Sequence, residues 1–324
     1  AFRGGVMASH RASGFCCRRR HVQATAHRVL RRALASVAHV ARIAVSAVGA
    51  AGGGWALLAA VRAAAEAAGL SAPLLLKCGE KCSKEGSFSF DEGPVPRHIA
   101  VIMDGNRRYG RLERGNALNG HRAGGEKLRD FVEWCIELGV SALTVFAFST
   151  ENWKRSPEEV QAMMGLFLEE VPRLGEHTAR LNVRVRFLVS DEDPLPRELK
   201  AAMRELEERT SCCDCLRLNV CVSYGGRGDV SHACRQLAQE AMAGEVNPLE
   251  IDDALIARRL LTGDVPDPDV LIRTSGERRL SNFLMFQLAY TELFFLEKHW
   301  PEVTREDLLS VVAEFRSRHR RFGK

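Results

Sequence analysis

Two patterns of apolar residues alternate along the chain after residue 97. Short runs rich in valine, isoleucine, leucine and phenylalanine are typical of strands that are buried on both faces. Such runs lie at 98–103, 142–148, 183–189, 216–223, 269–274 and 293–296. The longer segments between them space their apolar residues with helical periodicity, at 126–138, 194–208, 229–243, 251–261 and 305–318.

A further helix is predicted from its start signal. Ser156 is a good N-cap, Pro157 suits the first helical position, and Glu158 and Glu159 form an acidic first turn. Strands that alternate with helices predict an α/β fold. We expect a single domain over 93–324, with a mostly parallel central sheet of about six strands surrounded by helices.

Polar clusters follow four of the predicted strands. They are MDGNRR after the first strand, FSTENWKR after the second, SYGGRGD after the fourth and RTSGERRLSN after the fifth. In a parallel sheet the carboxyl ends of the strands lie at one edge, where ligands bind. We therefore expect these clusters to form one site.

The composition of the clusters indicates a phosphate ligand. Guanidinium groups match phosphate oxygens, and one carboxylate together with substrate phosphates is a common Mg²⁺ environment. Asp104 is the candidate metal ligand, and Gly105 allows backbone N–H groups to approach an anion. The arginines of the clusters are Arg107, Arg108, Arg155, Arg227, Arg273, Arg278 and Arg279.

Ordinary structural interpretations of the same residues stay open. Asp-Gly-Asn is a common turn, and arginine-rich loops are usually solvated. Trp153 is equally compatible with a core position, and His121 with a structural role. The common nucleotide and zinc-protease motifs, G-x4-G-K-[ST], G-x-G-x-x-G and H-E-x-x-H, are absent from the sequence.

The basic charge of the chain lies in its first part. Residues 1–65 hold ten arginines and no lysine or acidic residue, so the overall charge of +5 leaves −5 for the rest. A mildly acidic domain gives no reason to expect nucleic acid as a partner. The 1–92 segment has the composition of an organellar targeting leader, although an uncharged stretch at 43–61 could instead anchor in a membrane, and a plain disordered extension is a third interpretation.

The cysteine pattern favours reduced thiols. A lone C-x-x-C pair, Cys212 and Cys215, and a C-x3-C pair, Cys78 and Cys82, do not make the four-ligand pattern of a structural zinc site.

From residue 95 onward the sequence closely resembles the cis-prenyltransferases, which include undecaprenyl and dehydrodolichyl diphosphate synthases. The matching blocks are HIAVIMDGNRRYGR, GHRAGGEKL, ALTVFAFSTENWKRSPEEV, SYGGRGD, DVLIRTSGERRLSNFLMFQLAYTELFF and RRFGK. The resemblance implies an enzyme that condenses isopentenyl diphosphate onto farnesyl or geranylgeranyl diphosphate with Mg²⁺. It also implies an elongated hydrophobic tunnel, for which Leu166, Phe167 and Leu216 are candidate wall residues.

The resemblance also implies a role for individual residues. Asp104, Asn106 and Asn152 are the expected catalytic residues, and Asp104 and Glu292 the expected metal ligands. The expected substrate-binding residues are Gly105, Arg107, Arg108, His121, Phe148, Ser149, Trp153, Arg155, Arg273, Arg279 and Ser281.

Two residues depart from the family pattern, and the position of a third is not explained by the predicted sheet. Ala117 stands where bacterial members often have arginine, and Arg278 where they often have histidine. Glu292 lies at the start of its predicted strand rather than its end, so the predicted sheet does not explain how it reaches Asp104; a contribution across a dimer interface would resolve this, but the sequence does not show which chain supplies it. Arg321-Phe322-Gly323 is the R-x-G tail found in self-sufficient members and in the non-catalytic partner subunits of heteromeric ones. The tail and the full set of site residues together predict an active homodimer.

Two other functions stay open. One is a non-catalytic partner subunit of a heteromeric cis-prenyltransferase, and the other is a Mg²⁺-dependent phosphoesterase. The leader suits a plastid, with the mitochondrion and the endoplasmic reticulum, where dolichol is made, as alternatives. The apolar product suggests peripheral membrane association.

Overall fold

The computed structural model describes residues 94–318, in which six strands alternate with seven α-helices. The strands are β1 (His98–Ile102), β2 (Ala142–Ser149), β3 (Val183–Leu188), β4 (Leu216–Tyr224), β5 (Val270–Arg273) and β6 (Glu292–Phe295). The helices are α1 (Asn106–Glu113), α2 (Ala117–Glu137), α3 (Pro157–Arg180), α4 (Arg197–Arg209), α5 (Gly226–Met242), α6 (Asp253–Arg259) and α7 (Arg305–Ser317). Short 3-10 turns lie at Thr150–Lys154, Pro248–Glu250 and Trp300–Glu302.

The six strands form one sheet in the order β3-β4-β2-β1-β5-β6, and every neighbouring pair is parallel. The predicted α/β fold is therefore confirmed, and each predicted strand lies within a residue or two of its observed position. Strand β1 lies near the middle, between β2 and β5.

Apolar cores lie on both faces of the sheet. In β1, Ile99 and Val101 pack into one core, and Ala100 and Ile102 pack into the other. This alternation explains why β1 reads as a continuous apolar run, since neither of its faces meets water.

Helix α3 begins as its sequence predicts. The Ser156 hydroxyl oxygen accepts a hydrogen bond from the Glu159 N–H at 3.3 Å, and Pro157 occupies the first turn.

Helix α1 was not predicted, because it has no apolar stripe. Its only buried residue is Gly110. It packs on α2 through glycines instead: a Cβ atom on Gly120 would lie 2.0 Å from the carbonyl oxygen of Asn106 and 2.7 Å from Gly110 Cα. Backbone contact of this kind fixes α1 closely against α2.

Several sequence expectations fall outside the described residues. These are the leader at 1–92 with its uncharged stretch at 43–61, and the tail Arg321-Phe322-Gly323. Among residues 94–318, no helix is both long and apolar enough to cross a membrane.

Candidate active site

The site lies where the chain changes direction within the sheet. From β1 the chain continues to β2 on one side, and β5 later pairs with β1 on the other side. The connections that leave the ends of β1 and β5 therefore run to opposite sides of the sheet, and a crevice between such connections is the usual ligand position in a parallel sheet. Asp104 follows β1 at this crevice and Arg273 ends β5, and the Arg273 Nη2 donates to Asp104 Oδ2 at 2.9 Å.

Arg273 connects three segments of the site. Its side chain is only 3% exposed. Besides Asp104, it donates from Nη1 to Ser281 Oγ at 2.8 Å and to the carbonyl oxygen of Arg279. Its buried Nε–H has no partner among the described residues. The loop after β5 is thus held to the end of β1 by one guanidinium group.

Gly105 is required by both conformation and space. Its φ of 94° lies in the left-handed region, and an added Cβ atom would lie 2.6 Å from His299 Nδ1. Gly105 leads directly into α1, whose first turn has no acidic residue and no side-chain cap. The N terminus of this helix therefore presents its partial positive charge at the crevice.

A cavity of about 470 Å³ occupies the crevice. It contains every predicted site residue except Trp153 and Glu292. Six arginines and one carboxylate contribute charge to its wall. The charged residues are Asp104, Arg107, Arg108, Arg111, Arg155, Arg273 and Arg279. The other predicted residues in the wall are Gly105, Asn106, His121, Phe148, Ser149, Asn152 and Ser281.

Acidic residues behind the wall orient the arginines. Glu159 Oε1 contacts both Arg107 Nη1 and Arg155 Nη1 at 2.9 Å. Glu277 pairs with Arg108 Nη2 at 3.6 Å and also with Arg279. Since the arginines outnumber the carboxylates, the cavity keeps a positive charge that suits a diphosphate.

His121 lies in the cavity as a neutral imidazole. Burial, and the positive charges of Arg155 and Arg107, lower its pKa from 6.5 to about 4. At pH 7 His121 therefore offers hydrogen bonds to a ligand without adding charge.

Residues after β2 shape the opposite wall. The Ser149 N–H donates to the amide oxygen of Asn152 at 3.0 Å, which fixes the Asn152 side chain. Trp153 lies behind this wall: its Nε1–H donates to Ser223 Oγ at 2.8 Å, and its ring packs edge-on against Phe148 at 5.0 Å. Trp153 therefore packs against the core and supports Phe148 without lining the cavity.

Glu292 does not join Asp104 within one chain. It is the first residue of β6 and lies opposite Val270, the first residue of β5, whereas Asp104 lies beyond the last residue of β1. Its carboxylate pairs with Arg318 at 2.7 Å. Its metal role stays a prediction that depends on a second chain.

Arg111 is a cavity residue that the sequence analysis missed. It lies one helical turn after Arg107 on α1, a relation that appears only once α1 is known. Ala117, which departs from the family pattern, begins α2. Arg278 is exposed and pairs with Glu297, and Arg227 lines a separate pocket.

An apolar cavity of about 100 Å³ adjoins the charged one. The two share Met103, Asn106, His121, Ala147 and Met163 as lining residues. The predicted tunnel residues Leu166 and Phe167 line the apolar cavity. Leu216 does not: it is buried in the core at the start of β4, and Val220 on the same strand lines the cavity instead.

The residues at the crevice fit a magnesium ion that arrives with its substrate. Among residues 94–318, no group of three histidine, cysteine, aspartate or glutamate side chains could hold a metal. Asp104 offers one carboxylate amid arginines whose guanidinium groups suit phosphate, and Mg²⁺ prefers one or two carboxylates plus phosphate oxygens.

Fold and site together define a diphosphate-binding α/β protein with an adjoining pocket for an apolar chain. Comparison with known proteins then identifies the family. Residues 102–323 match the family described as "Putative undecaprenyl diphosphate synthase". The chain belongs to this family of cis-prenyltransferases and is a transferase of the polyprenyl diphosphate synthase type.

Two relatives illustrate the similarity in sequence. A geranylgeranyl-diphosphate-specific tritrans,polycis-undecaprenyl-diphosphate synthase of Thermococcus kodakarensis is 44% identical over 234 residues, which cover 72% of this chain and 88% of that protein. A (2E,6E)-farnesyl-diphosphate-specific ditrans,polycis-undecaprenyl-diphosphate synthase of Xanthomonas axonopodis is 45% identical, over 71% and 89% of the two chains.

A solved structure agrees with this assignment. Lavandulyl diphosphate synthase from Lavandula x intermedia, in complex with dimethylallyl diphosphate, superposes with a TM-score of 0.67 at 32% identity. The match covers 71% of this chain and 99% of that one.

Proposed function

We propose that this chain is a Mg²⁺-dependent synthase that extends farnesyl or geranylgeranyl diphosphate with isopentenyl diphosphate units in cis configuration. One observation carries the proposal: the arginine-rich cavity and the apolar cavity share a wall. An allylic diphosphate has a charged head and an apolar tail, and these two cavities match the two halves.

Each condensation breaks one bond and makes another. The bond between C1 of the allylic substrate and its diphosphate oxygen breaks, and the diphosphate leaves with the electron pair. C1 bonds to C4 of the isopentenyl unit, which loses a proton from C2. Arg107 and Arg108, together with the N terminus of α1, are the groups that we expect to stabilise the departing diphosphate.

Asp104 is the residue that we expect to hold Mg²⁺ beside the diphosphate. The ion, when bound, neutralises charge on the leaving group. Arg273, Arg279 and Ser281 form a second anion-binding group, which we assign to isopentenyl diphosphate.

Asn152 is our candidate for steering the proton loss. Its amide oxygen is fixed by the Ser149 N–H, and it faces the same cavity as Arg155 and Phe148. A fixed amide can orient the isopentenyl unit in the geometry that the reaction needs.

We propose a homodimer as the active assembly. Strand β6 ends the sheet, and its Leu293 side chain is exposed. An edge strand has unpaired backbone groups that can pair with another chain. A second copy on this side would also bury the Glu292 end of β6.

We further propose a plastid location, which a fluorescent fusion of the leader would test. We also propose a peripheral contact with membranes, which a vesicle flotation assay would test.

The decisive experiment is an assay of the purified full chain without any other subunit. It contains Mg²⁺, labelled isopentenyl diphosphate and either farnesyl or geranylgeranyl diphosphate, and its products are sized by chromatography. We expect incorporation into a prenyl diphosphate series that stops when EDTA is added. A folded protein that incorporates no label until a second subunit is added would favour the partner-subunit function. Release of inorganic phosphate without a prenyl product would favour a phosphoesterase.

A further inference from the structure

An ion pair interrupts the wall of the apolar cavity. Apart from the residues shared with the charged cavity, the lining is hydrophobic or glycine except for Arg129 on α2 and Glu170 on α3. Arg129 Nη1 lies 2.8 Å from Glu170 Oε2, and their side chains are 21% and 15% exposed. Two charges in such a wall call for an explanation, because burying charge beside apolar groups is costly.

The pair lies deeper than the charged cavity. Arg129 follows His121 by eight residues along α2, a rise of about 12 Å at 1.5 Å per residue. Glu170 follows Met163 by seven residues along α3. His121 and Met163 line both cavities, so the pair lies along the direction in which an apolar tail would extend.

The position of the pair is well fixed. Glu170 Oε1 accepts a second hydrogen bond, from Arg173 Nη1 at 2.7 Å, so both carboxylate oxygens are occupied. The Glu170 side chain lies over Gly125 of α2, where an added Cβ atom would be 3.0 Å from Glu170 Oε2.

A growing prenyl tail would meet the pair only after it reached a certain length. A shorter tail contacts the hydrophobic lining alone. A longer tail would displace the remaining water around the charges and offer no hydrogen bond in return. Further extension then becomes less favourable relative to release of the product.

We propose that the Arg129–Glu170 pair limits the length of the prenyl product. This inference rests on the proposed synthase function. It assigns a specificity role to two residues that lie outside the charged cavity.

A second ion pair across the same helices provides a matched control. Arg122 Nη2 lies 3.1 Å from Glu169 Oε2, with side chains 41% and 48% exposed, and neither residue lines the apolar cavity. If the ion pairs only hold α2 to α3, both pairs should act alike. If contact with the tail matters, only the cavity pair should change the product.

The test compares two double variants of the full chain. Arg129→Met with Glu170→Leu makes the wall apolar, and Arg122→Met with Glu169→Leu removes the outer pair. Products made from one allylic starter and labelled isopentenyl diphosphate are sized by chromatography, and the first condensation is timed separately. We expect the cavity variant to raise severalfold the fraction of products longer than the main wild-type product. The outer variant keeps the wild-type distribution.

Three results would overturn the proposal: an unchanged or shortened distribution in the cavity variant, or an equal lengthening in both variants. If circular dichroism shows that the cavity variant does not fold, Arg129→Met alone replaces it. Glu170 keeps Arg173 as a partner in that variant, and a smaller shift towards longer products is expected, with no shift overturning the proposal. If the wild-type chain makes no prenyl product, the synthase function itself is contradicted. That outcome differs from the one in which a product forms but its length does not depend on the pair.

Discussion

Arg273 shows how much of the active site depends on a single side chain. Its guanidinium group contacts Asp104, Ser281 and the carbonyl oxygen of Arg279 while almost completely buried. A lysine offers one compact charge and cannot form this planar set of bonds.

We therefore expect Arg273→Lys to lower kcat/KM by about a hundredfold or more, the loss typical of removing an oriented electrostatic group. Arg279→Lys is the control. The Arg279 side chain is 62% exposed and its role is replaceable by another cation, so we expect a loss of about tenfold or less. Steady-state kinetics with varied isopentenyl diphosphate measures both. Equal losses would contradict the special role of Arg273.

Asn282 is a positioning residue that joins the two loops of the site. Its Nδ2 donates to Glu151 Oε1 at 2.9 Å, next to Asn152, and its Oδ1 accepts from the Arg227 N–H at 2.9 Å. Its φ of 62° is left-handed, as is that of Ser281 at 51°. The side chain thus stabilises a strained turn and holds the Thr150–Lys154 turn against it.

Asn282→Gly keeps the left-handed backbone without strain and removes only the side-chain bonds. We expect kcat to fall roughly tenfold because Asn152 is less well positioned. Asn282→Ala should show the same kinetic loss and, in addition, a free energy of unfolding about 1–2 kcal/mol lower, because alanine disfavours this conformation. Single-turnover rates and urea unfolding measure the two effects. A glycine variant with the wild-type rate would remove Asn282 from the site.

Individual site residues could be predicted wherever the end of a strand could be predicted. Asp104 and Arg273 follow directly from the rule that parallel strands share a ligand-binding edge. Trp153 has the same sequence context as its neighbours, but its ring packs against the core. That choice depends on packing against Phe148, which sequence spacing does not reveal.

At the scale of elements, the contact between α1 and α2 is made by backbone rather than side chains. A methyl group on Gly120 would meet the Asn106 carbonyl oxygen and Gly110, neither of which can rotate away. Asn106 and Arg107 start α1, so displacement of this helix also displaces the cavity wall.

We expect Gly120→Ala to lower the free energy of unfolding by about 1–3 kcal/mol, the usual effect of overpacking, and to reduce activity as well. Gly165→Ala is the matched control within α3, because its added Cβ atom meets nothing within 4 Å. That substitution should stabilise the protein by about 0.5–1 kcal/mol through helix propensity. Guanidinium unfolding curves distinguish the two, and a neutral Gly120→Ala would contradict the close packing.

Helix α1 also marks the limit of pattern-based prediction. The strands and most long helices follow from apolar periodicity, because each presents a face to a core. Helix α1 exposes four of its eight residues and buries only a glycine, so it has no periodic signal to detect. Arg111 was missed for the same reason.

At the scale of the whole molecule, two histidines with lowered pKa values make stability depend on pH. Burial lowers the pKa of His98 from 6.5 to about 4, although its Pro266 hydrogen bond and Asp269 oppose this. His98 Nδ1 lies 2.6 Å from the Pro266 carbonyl oxygen and Nε2 lies 2.8 Å from Thr144 Oγ1, so a neutral ring fits the core. The pKa of His121 is lowered to about 4 as well.

Because the folded pKa lies below the unfolded value, the unfolded chain binds more protons at mildly acid pH. Stability is fully present above pH 6.5 and falls as the pH is lowered from 6.5 to 4. We expect each histidine to remove up to about 3 kcal/mol over this window. Urea unfolding at a series of pH values measures the slope. His98→Gln, which cannot be protonated, should flatten it, and an unchanged slope would contradict the assignment.

The architecture as a whole was predictable, but the surroundings of Glu292 were not. Alternating strands and helices fix a parallel sheet and the edge where ligands bind. Glu292 starts β6, and its partner within the chain is Arg318. A sequence cannot specify which chain completes a site, because that depends on the surface presented to a second copy.

The sheet order also determines when the active site can exist during synthesis. Asp104 and Arg273 lie 169 residues apart, and β5 must insert beside β1 before they meet. A nascent chain that has left the ribosome only through β4 can pair β1 with β2, yet β1 keeps one open edge. An open edge of this kind can pair with the strands of other incomplete chains and so promotes aggregation. We therefore expect a shortened chain that lacks β5 to be inactive, because it lacks Arg273 and leaves this edge of β1 unpaired.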